Sequence, residues 1–325
     1  ADFLLGIASR FASILPEGQE TPNVLTEDGG LDNFNGTGPF VMSELNQGES
    51  ITLTANENYW GDVPAIDVQF IFINDQVAQV NALLADDVDF IFKIGTELIE
   101  QVTDVEGITL ISIATGIHPV IRLRTDEGHL GEDVRVRQAF KLATDRELLN
   151  LDVLDGFGTV ANNDPFSPVF GPLYNPVESE YNPERACALL AEYAAEYPDN
   201  GFVTMEGDTP SLEIDFFVVD SFEYPILAEF IQQQWEEGCI NVDLQIRQSS
   251  VYYADGEWLE VDLGLTGWGT RPTPQAFLNE AYVTGAPFNE AHWSNKALDA
   301  LAAEASRTSD VEARAIIYAE ISQIF

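Results

Sequence analysis

Basic residues are the scarcest class in this sequence of 325 residues. It has 14 Lys and Arg against 55 Asp and Glu, which gives a formal net charge of −41. Nucleic acids and anionic lipids are bound mainly through basic patches, so this charge argues against both as partners. An acidic surface with so little lysine indicates a marine or halophilic source or a salt-rich extracellular compartment, with general solubility as the alternative explanation.

Long apolar runs, cysteines and histidines are also few. The longest stretch without charge, Gly107–Ile121, has 15 residues, whereas a membrane span needs about 20 apolar residues. Two cysteines, Cys187 and Cys239, are too few for a disulfide scaffold; they are either buried separately or joined to each other. The three histidines show no helical spacing, and no acidic run has the pattern of a calcium loop. The sequence therefore predicts no metal site and no cofactor.

Catalytic motifs are missing as well. There is no G-x-S-x-G turn for a serine nucleophile and no GxxxxGK[ST] phosphate loop. Carboxylate pairs for acid–base catalysis cannot be selected among 55 acidic residues by sequence. We therefore predict that this chain is not an enzyme.

What the sequence does contain is two strand–helix–strand patterns. In the first, Ile66–Ile73 reads as a buried strand, Asn74 as a helix cap, and Val88–Ile94 as a second strand. In the second, Leu212–Val219 and Ile240–Ile246 read as strands. Ser221 is placed to cap the helix between the strands of this second pattern, and Gly238 to end it in a left-handed conformation. Two separate βαβ units predict two α/β lobes.

Four further helices are well marked, and both chain ends look cut. Asp133 and Asn182 precede helical patterns as N-caps, and two more helices are predicted around 298–305 and 311–321, after a loop-rich tract at 156–183. The apolar segment Phe3–Ile14 has no basic leader or cleavage site, and Phe325 falls inside a helical pattern. These features predict a fragment of a longer protein.

The strongest candidate site lies at VDLGLTGWGTRPTP, residues 261–274. Its first half alternates as a strand and stops at Gly267-Trp268-Gly269, and the carboxyl ends of strands are where open α/β sheets bind ligands. The glycines allow close approach of backbone to a ligand, and the indole offers a stacking face. Arg271 carries donors suited to a carboxylate or phosphate, with pairing to a neighbouring acid as the alternative.

Four stretches, in order along the chain, resemble the extracellular solute-binding proteins of ABC importers, family 5, the class that includes dipeptide, oligopeptide and nickel binders. They are GTGPF at 36–40 with NENYWG at 56–61, the helix–strand pattern at 75–90, DVRVRQA to TDRE at 133–147, and LTGWG at 265–269 with WSN at 293–295 and LDAL at 298–301.

The resemblance implies an α/β, two-lobed periplasmic-binding-protein-like (type II) fold with mixed sheets, present here without its N-terminal and C-terminal segments. Residues 1–124 would form part of the first lobe and 125–325 the second, with a hinge or crossover near 117–125. The implied function is capture of a small solute or peptide outside the cytoplasmic membrane, in the periplasm or extracellular space, and its delivery to permease subunits by a monomer, lipid-anchored in some members. The alternative is a sensor or chaperone-like peptide binder of the same fold without transport.

One residue departs from the resemblance. Peptide binders of the family carry an aspartate three residues after the tryptophan, where it receives the amino terminus of the peptide, and this chain has Arg271. The departure favours an anionic or polar solute, with Trp268 stacking and Arg271 donating charge-assisted hydrogen bonds of about 1.5–3 kcal/mol each. Five further residues are candidate ligand contacts, each with a structural role as the alternative: Asn162, Phe166, His118, Asn289 and Trp293.

Overall fold

The computed structural model describes residue 17 and residues 36–199, 201–221, 223–254 and 256–325. The described residues fall into two compact units, and the boundary between them in the sequence lies between Ile111 and Ser112. The apolar segment Phe3–Ile14 lies outside the described residues.

The unit at 36–111 is built on a three-stranded antiparallel sheet in the order β1-β2-β3. Val80, on the helix that follows the sheet, packs with Leu98 and Val102 in a small core. The elements are β1 (Phe40–Asn46), β2 (Ser50–Ala55), β3 (Val68–Ile71), α1 (Gln76–Leu84), a 3-10 turn (Thr96–Leu98) and α2 (Ile99–Val102).

The first predicted βαβ unit is wrong. Strand β3 is shorter than expected and pairs antiparallel with β2, and Val88–Ile94 is not a strand in the described part of the chain. A strand needs a neighbour with free backbone groups; here the segment instead packs Ile91 and Ile94 against the small core around Val80. The cap of α1 is Asp75, one residue later than predicted, whose Oδ1 accepts from Ala78 N at 2.7 Å.

The unit at 112–325 is built on a five-stranded mixed sheet. Its order is β4-β8-β6-β5, with β7 also paired to β6; the β6–β7 and β6–β8 pairs are parallel, and the β4–β8 and β5–β6 pairs are antiparallel. The strands are β4 (His118–Leu123), β5 (Val203–Glu206), β6 (Thr209–Asp220), β7 (Ile240–Gln248) and β8 (Leu263–Trp268).

Helices cover this sheet and form a second core beyond it. Trp235 and Phe216 lie in the main core, and Phe166, Tyr318 and Leu298 in the second. The helices are α3 (Val134–Leu142), α4 (Arg146–Leu154), α5 (Pro183–Glu196), α6 (Tyr224–Glu237), α7 (Ser249–Tyr252), α8 (Glu257–Glu260), α9 (Pro274–Phe277), α10 (Lys296–Arg307) and α11 (Val311–Ser322), with short 3-10 segments at Leu130–Glu132 and Pro168–Leu173 and a π-helical turn at Leu278–Tyr282.

The second predicted βαβ unit is confirmed. Strand β6, helix α6 and strand β7 follow one another, and β6 and β7 run parallel from Leu212↔Ile240 to Asp220↔Gln248. Two details differ. The helix begins after Glu223 rather than at Ser221, and Gly238 has φ −89° while Cys239 takes the left-handed conformation with φ 64°.

The predicted caps of α3 and α5 are confirmed. Asp133 accepts from Arg135 N at 2.8 Å, and Asn182 accepts from Arg185 N at 3.0 Å, so each satisfies a backbone donor that the helix leaves free. Asp133 also pairs with the Arg135 guanidinium at 2.6 Å, which in turn reaches Glu196 on α5 at 2.8 Å. One carboxylate thus starts α3 and helps to fix it against α5.

Removing the Asp133 carboxylate tests this cap. Hydrogen bonds from Arg135 lower the pKa of Asp133 below its ordinary 3.8. Its contribution to stability is therefore present above pH 3.8 and is lost as the pH falls through the lowered pKa. We expect Asp133→Ala to lower the free energy of unfolding by about 1–2 kcal/mol near neutral pH. In urea denaturation, the difference in unfolding free energy between the native protein and Asp133→Ala should shrink across that acid range, and a difference that stays constant would contradict the ion pair.

The two cysteines are joined. The Cys187–Cys239 disulfide has a Cα–Cα separation of 5.2 Å and closes 52 residues of chain, linking α5 to the start of β7. Of the two states that the sequence left open, the bonded one is observed, and the described residues contain no free cysteine.

Candidate functional site

The predicted site lies at the carboxyl end of β8. Strand β8 ends at Trp268 and pairs antiparallel with β4, in a register that sets His118 directly opposite Trp268. His118 was predicted separately, 150 residues earlier in the sequence, and the sheet brings the two side by side.

Three of the predicted residues converge on one phenylalanine. Phe277 is fully buried, with ring centroids 5.4 Å from His118 and 6.0 Å from Trp268. The guanidinium of Arg271 lies over both Trp268, at 4.9 Å from the ring centroid, and Phe277, at 5.7 Å. These are cation–π distances, so the aromatic cluster holds Arg271 in place.

Arg271 is already engaged by its own unit. Its Nε donates to Glu280 Oε2 at 2.7 Å and its Nη1 to the carbonyl oxygen of Gly269 at 3.0 Å. The Arg271 side chain is 11% exposed and that of Glu280 is 32% exposed. Arg271 therefore pairs with a neighbouring acid, as one of the two alternatives predicted. A ligand contact stays a prediction, since Glu280 lies close to solvent.

The indole N–H of Trp268 donates a hydrogen bond to a buried carboxylate. Glu290 Oε1 accepts from the indole Nε1 at 2.9 Å, Glu290 Oε2 accepts from Thr266 Oγ1 at 2.8 Å, and Arg122 Nε lies 3.4 Å from Oε2. Burial raises the pKa of Glu290, and Arg122, Trp268 and Thr266 oppose this shift. Trp268 is 6% exposed, and one of its faces is covered by Arg271.

His118 completes the cluster beside this carboxylate network. Its Nδ1 lies 2.9 Å from the carbonyl oxygen of Gly116, which fixes the proton on Nδ1, and the buried Nε2 has no hydrogen-bond partner among the described residues. Burial lowers the pKa of His118, and the nearby charge of Arg271 lowers it further. The imidazole is therefore neutral at physiological pH.

The two glycines beside Trp268 have different structural roles. A Cβ at Gly267 would collide with the hydroxyl of Tyr224, so the strand end packs directly on that ring. Gly267 is itself exposed on the other side, and Gly269 supplies the carbonyl that Arg271 binds. The strand end thus offers accessible backbone beside a buried aromatic cluster.

The remaining predicted contacts have partners in the second core. Phe166 is 3% exposed and packs on Tyr318, and Trp293 packs on Phe325. Asn162 donates to the Tyr174 hydroxyl at 2.9 Å. Asn289 braces its own loop, donating to the Trp293 carbonyl at 2.7 Å. A ligand role for these four residues stays a prediction.

Sequence reasoning missed the residues that organise the site, namely Arg122, Phe277, Glu280 and Glu290. None has a motif around it, and the two acids are indistinguishable by sequence from the other carboxylates.

Open α/β sheets bind ligands at the carboxyl ends of their strands, and β8 carries an aromatic cluster and an anchored guanidinium at that end. Comparison with known protein families identifies the family of this chain. The model of the bacterial extracellular solute-binding proteins, family 5 (middle region), matches residues 4–289, and the chain belongs to that family.

Two curated relatives illustrate the relationship. Heme-binding protein A of Haemophilus influenzae is 27% identical over 307 residues, covering 89% of this chain and 52% of the relative. Oligopeptide-binding protein AppA of Bacillus subtilis is 27% identical over 300 residues, covering 89% of this chain and 54% of the relative. The chain therefore spans about half the length of these relatives.

Solved structures show the same fold. DppA of Helicobacter pylori, in complex with the peptide STSA, superposes with a TM-score of 0.73 at 22% identity, over 89% of this chain and 55% of that one. AppA of Bacillus subtilis, in complex with a nonapeptide, gives a TM-score of 0.70 at 25% identity, over 88% and 58%. The predicted fold class is confirmed. Among the described residues, every helix is too short or too polar to cross a bilayer.

Proposed function

We propose that this chain is part of the solute-binding component of an ABC importer. It would capture a small solute or peptide outside the cytoplasmic membrane and deliver it to the permease subunits. The observation that carries the proposal is the family match over residues 4–289. The names of the curated relatives add that proteins of this kind bind heme, oligopeptides, dipeptides and nickel. No observation separately favours a sensor or chaperone role.

In this proposal the protein binds its solute without chemical turnover and acts as a monomer in the periplasm or extracellular space, either free or held by a lipid anchor. Residues 1–124 and 125–325 contribute to different lobes. The disulfide supports an oxidising compartment, and the charge of −41 supports a salt-rich one.

The solute that we propose is anionic or polar, with Arg271 as its main contact. The guanidinium is positioned by Trp268 and Phe277, so little side-chain entropy is lost when it donates to a ligand. Glu280 already occupies one of its donors, so an anionic solute must compete with that carboxylate. Trp268 then acts mainly by holding Arg271, and Gly267 and Gly269 supply accessible backbone.

Native mass spectrometry on the intact gene product tests the function. The full-length protein is purified gently in high salt and weighed with whatever it carries. We expect a bound compound that is released on denaturation unchanged in mass. A compound that is converted during incubation would overturn the proposal of a binding protein.

Two substitutions test the solute contact, using the compound so identified. Arg271→Ala should weaken binding by about tenfold or more, because a charge-assisted hydrogen bond is lost. Glu280→Gln should strengthen binding, because it removes the competing negative charge while preserving shape. Isothermal titration measures both. An unchanged dissociation constant in Arg271→Ala would end the assignment of this residue.

A further inference from the structure

Trp268 offers little surface on which the ring of a solute could stack. It is 6% exposed, and the guanidinium of Arg271 covers one of its faces, 4.9 Å from the ring centroid. Two aromatic side chains that connect to it through ring contacts are open to solvent instead. Phe288 and Tyr253 are each 40% exposed. The accessible aromatic surface at this strand end therefore belongs to residues that the sequence did not mark.

These two exposed rings belong to one continuous run of aromatic contacts. The ring centroid of Phe288 lies 6.2 Å from that of Trp268 and 5.7 Å from that of Trp258. The centroid of Trp258 in turn lies 5.6 Å from that of Tyr253. Aromatic pairs in proteins have centroids about 4.5–7 Å apart, so each of these contacts is a packed pair. We call the four side chains Trp268, Phe288, Trp258 and Tyr253 the aromatic array.

Backbone hydrogen bonds place Phe288 next to the charged groups of the candidate site. Phe288 N donates to the carbonyl oxygen of Glu280 at 2.9 Å, and the carboxylate of Glu280 pairs with Arg271. Glu290 N donates to the carbonyl oxygen of Phe288 at 2.9 Å, and the carboxylate of Glu290 accepts from the Trp268 indole. An exposed ring is thus fixed in the chain between the partner of Arg271 and the partner of Trp268.

The rest of the aromatic array is held in place as well. Trp258 is anchored through its carbonyl oxygen, which accepts from Arg122 Nη2. Burial raises the pKa of the Tyr253 hydroxyl, and hydrogen bonding from the backbone of Gly267 opposes this shift. The rings are therefore positioned before a solute arrives, so little side-chain entropy is lost when a further ring packs against them.

We propose that the solute is a small organic anion with a planar aromatic ring, which packs on the exposed surface of Phe288 and Tyr253 while the anionic group binds Arg271. This inference rests on the proposed solute-binding function and narrows the class of solute. Trp268 contacts both Phe288 and Arg271, so one small molecule can reach the ring surface and the guanidinium together. Packing of the ring removes apolar surface from water and adds offset-stacked or edge-to-face contacts.

Titration calorimetry of the full-length protein with two sulfonates tests for the ring. Naphthalene-2-sulfonate carries a planar ring system beside its anionic group, and methanesulfonate carries the same group without a ring. We expect naphthalene-2-sulfonate to bind at least about tenfold more tightly. Equal affinities for the two sulfonates, or no binding of naphthalene-2-sulfonate, would overturn the inference.

Substitutions in the aromatic array locate the contact. Phe288→Leu and Tyr253→Leu keep an apolar side chain but lose a ring, and each should weaken binding of naphthalene-2-sulfonate by about threefold or more. Phe288→Tyr keeps the ring and should bind as the native protein does. Phe157→Leu, the same change at an exposed phenylalanine in the loop after α4, is the matched control and should have no effect.

These variants also separate a ring contact from a folding defect, since the circular dichroism of each is compared with that of the native protein. A loss in Phe288→Tyr as large as that in Phe288→Leu would contradict the ring contact. Equal losses in Phe157→Leu and Phe288→Leu, or no loss in either leucine variant of the aromatic array, would contradict its location.

The compound carried by the purified protein distinguishes this inference from the proposed function. A compound that is released unchanged, carries a negative charge and has the ultraviolet absorption of an aromatic ring supports both. A compound that is released unchanged but has no aromatic ring overturns the inference and leaves the solute-binding function in place. A compound that is converted during incubation overturns both.

Discussion

Replacing Arg122 by methionine is expected to lower the free energy of unfolding by about 3–5 kcal/mol. Arg122 and Glu290 are 7% and 5% exposed, so the remaining carboxylate would lie buried without a cation. The substitution also removes a hydrogen bond of 2.6 Å to the Val261 carbonyl and another to that of Trp258. Chemical denaturation at fixed high salt gives the measurement.

The chain offers a matched control for this ion pair. Arg247 pairs with Glu257 at 3.2 Å, with both side chains about one-third exposed. Arg247→Met should cost only about 0–1 kcal/mol, because exposed pairs are screened by solvent. Equal effects of the two arginine substitutions would show that burial of the Arg122–Glu290 pair does not matter.

The pH dependence of the Arg122→Met variant has a defined sign. Burial already raises the pKa of Glu290 above its ordinary 4.5, and removing the cation raises it further. The folded state then holds a proton that the unfolded state has released, so stability falls as the pH rises above 4.5. The loss relative to the native protein should therefore grow with pH, and Glu290→Gln in the same chain should abolish that growth.

Removing the disulfide should cost about 4 kcal/mol, the chain-entropy estimate for a loop of this size. The bond closes 52 residues and thereby restricts the unfolded chain. We expect the double variant Cys187→Ala with Cys239→Ala to unfold at lower denaturant concentration than the native protein. The two should become equal once the native protein is fully reduced.

Cys239 provides an internal check on that result. It has φ 64°, a conformation that glycine adopts freely and alanine does not. Cys239→Gly combined with Cys187→Ala should therefore be more stable than the double alanine variant, by about 1–2 kcal/mol. If reductant leaves the stability of the native protein unchanged, the disulfide does not contribute to that stability.

Local signals in the sequence were sufficient for elements that are held by neighbours in the chain. The caps Asp133 and Asn182 and the β6–α6–β7 unit depend on side chains and backbone within a few tens of residues, and these were predicted correctly. The strand predicted at Val88–Ile94 is absent from the structure. Apolar residues that pack on Val80 without a strand partner give the same sequence pattern as a buried strand.

The candidate site could be located from the sequence but not assembled. Gly267-Trp268-Gly269 and Arg271 form one short motif, whereas Glu290 and Arg122 belong to it only through the fold. The same limit applies to His129 and His292, which are 163 positions apart in the sequence and both lie near Asp126 only in the folded chain.

The pairing of β4 with β8 has a consequence for the order of events during synthesis. His118 faces Trp268, and Leu123 faces Leu263, across more than a hundred intervening residues. During synthesis, β4 leaves the ribosome long before its antiparallel neighbour β8 has been made, and Glu290 emerges later still. The β4–β8 pairing and the buried Arg122–Glu290 pair therefore form only after residues 263–290 have been synthesised, which makes the folding of this unit depend on long-range contacts.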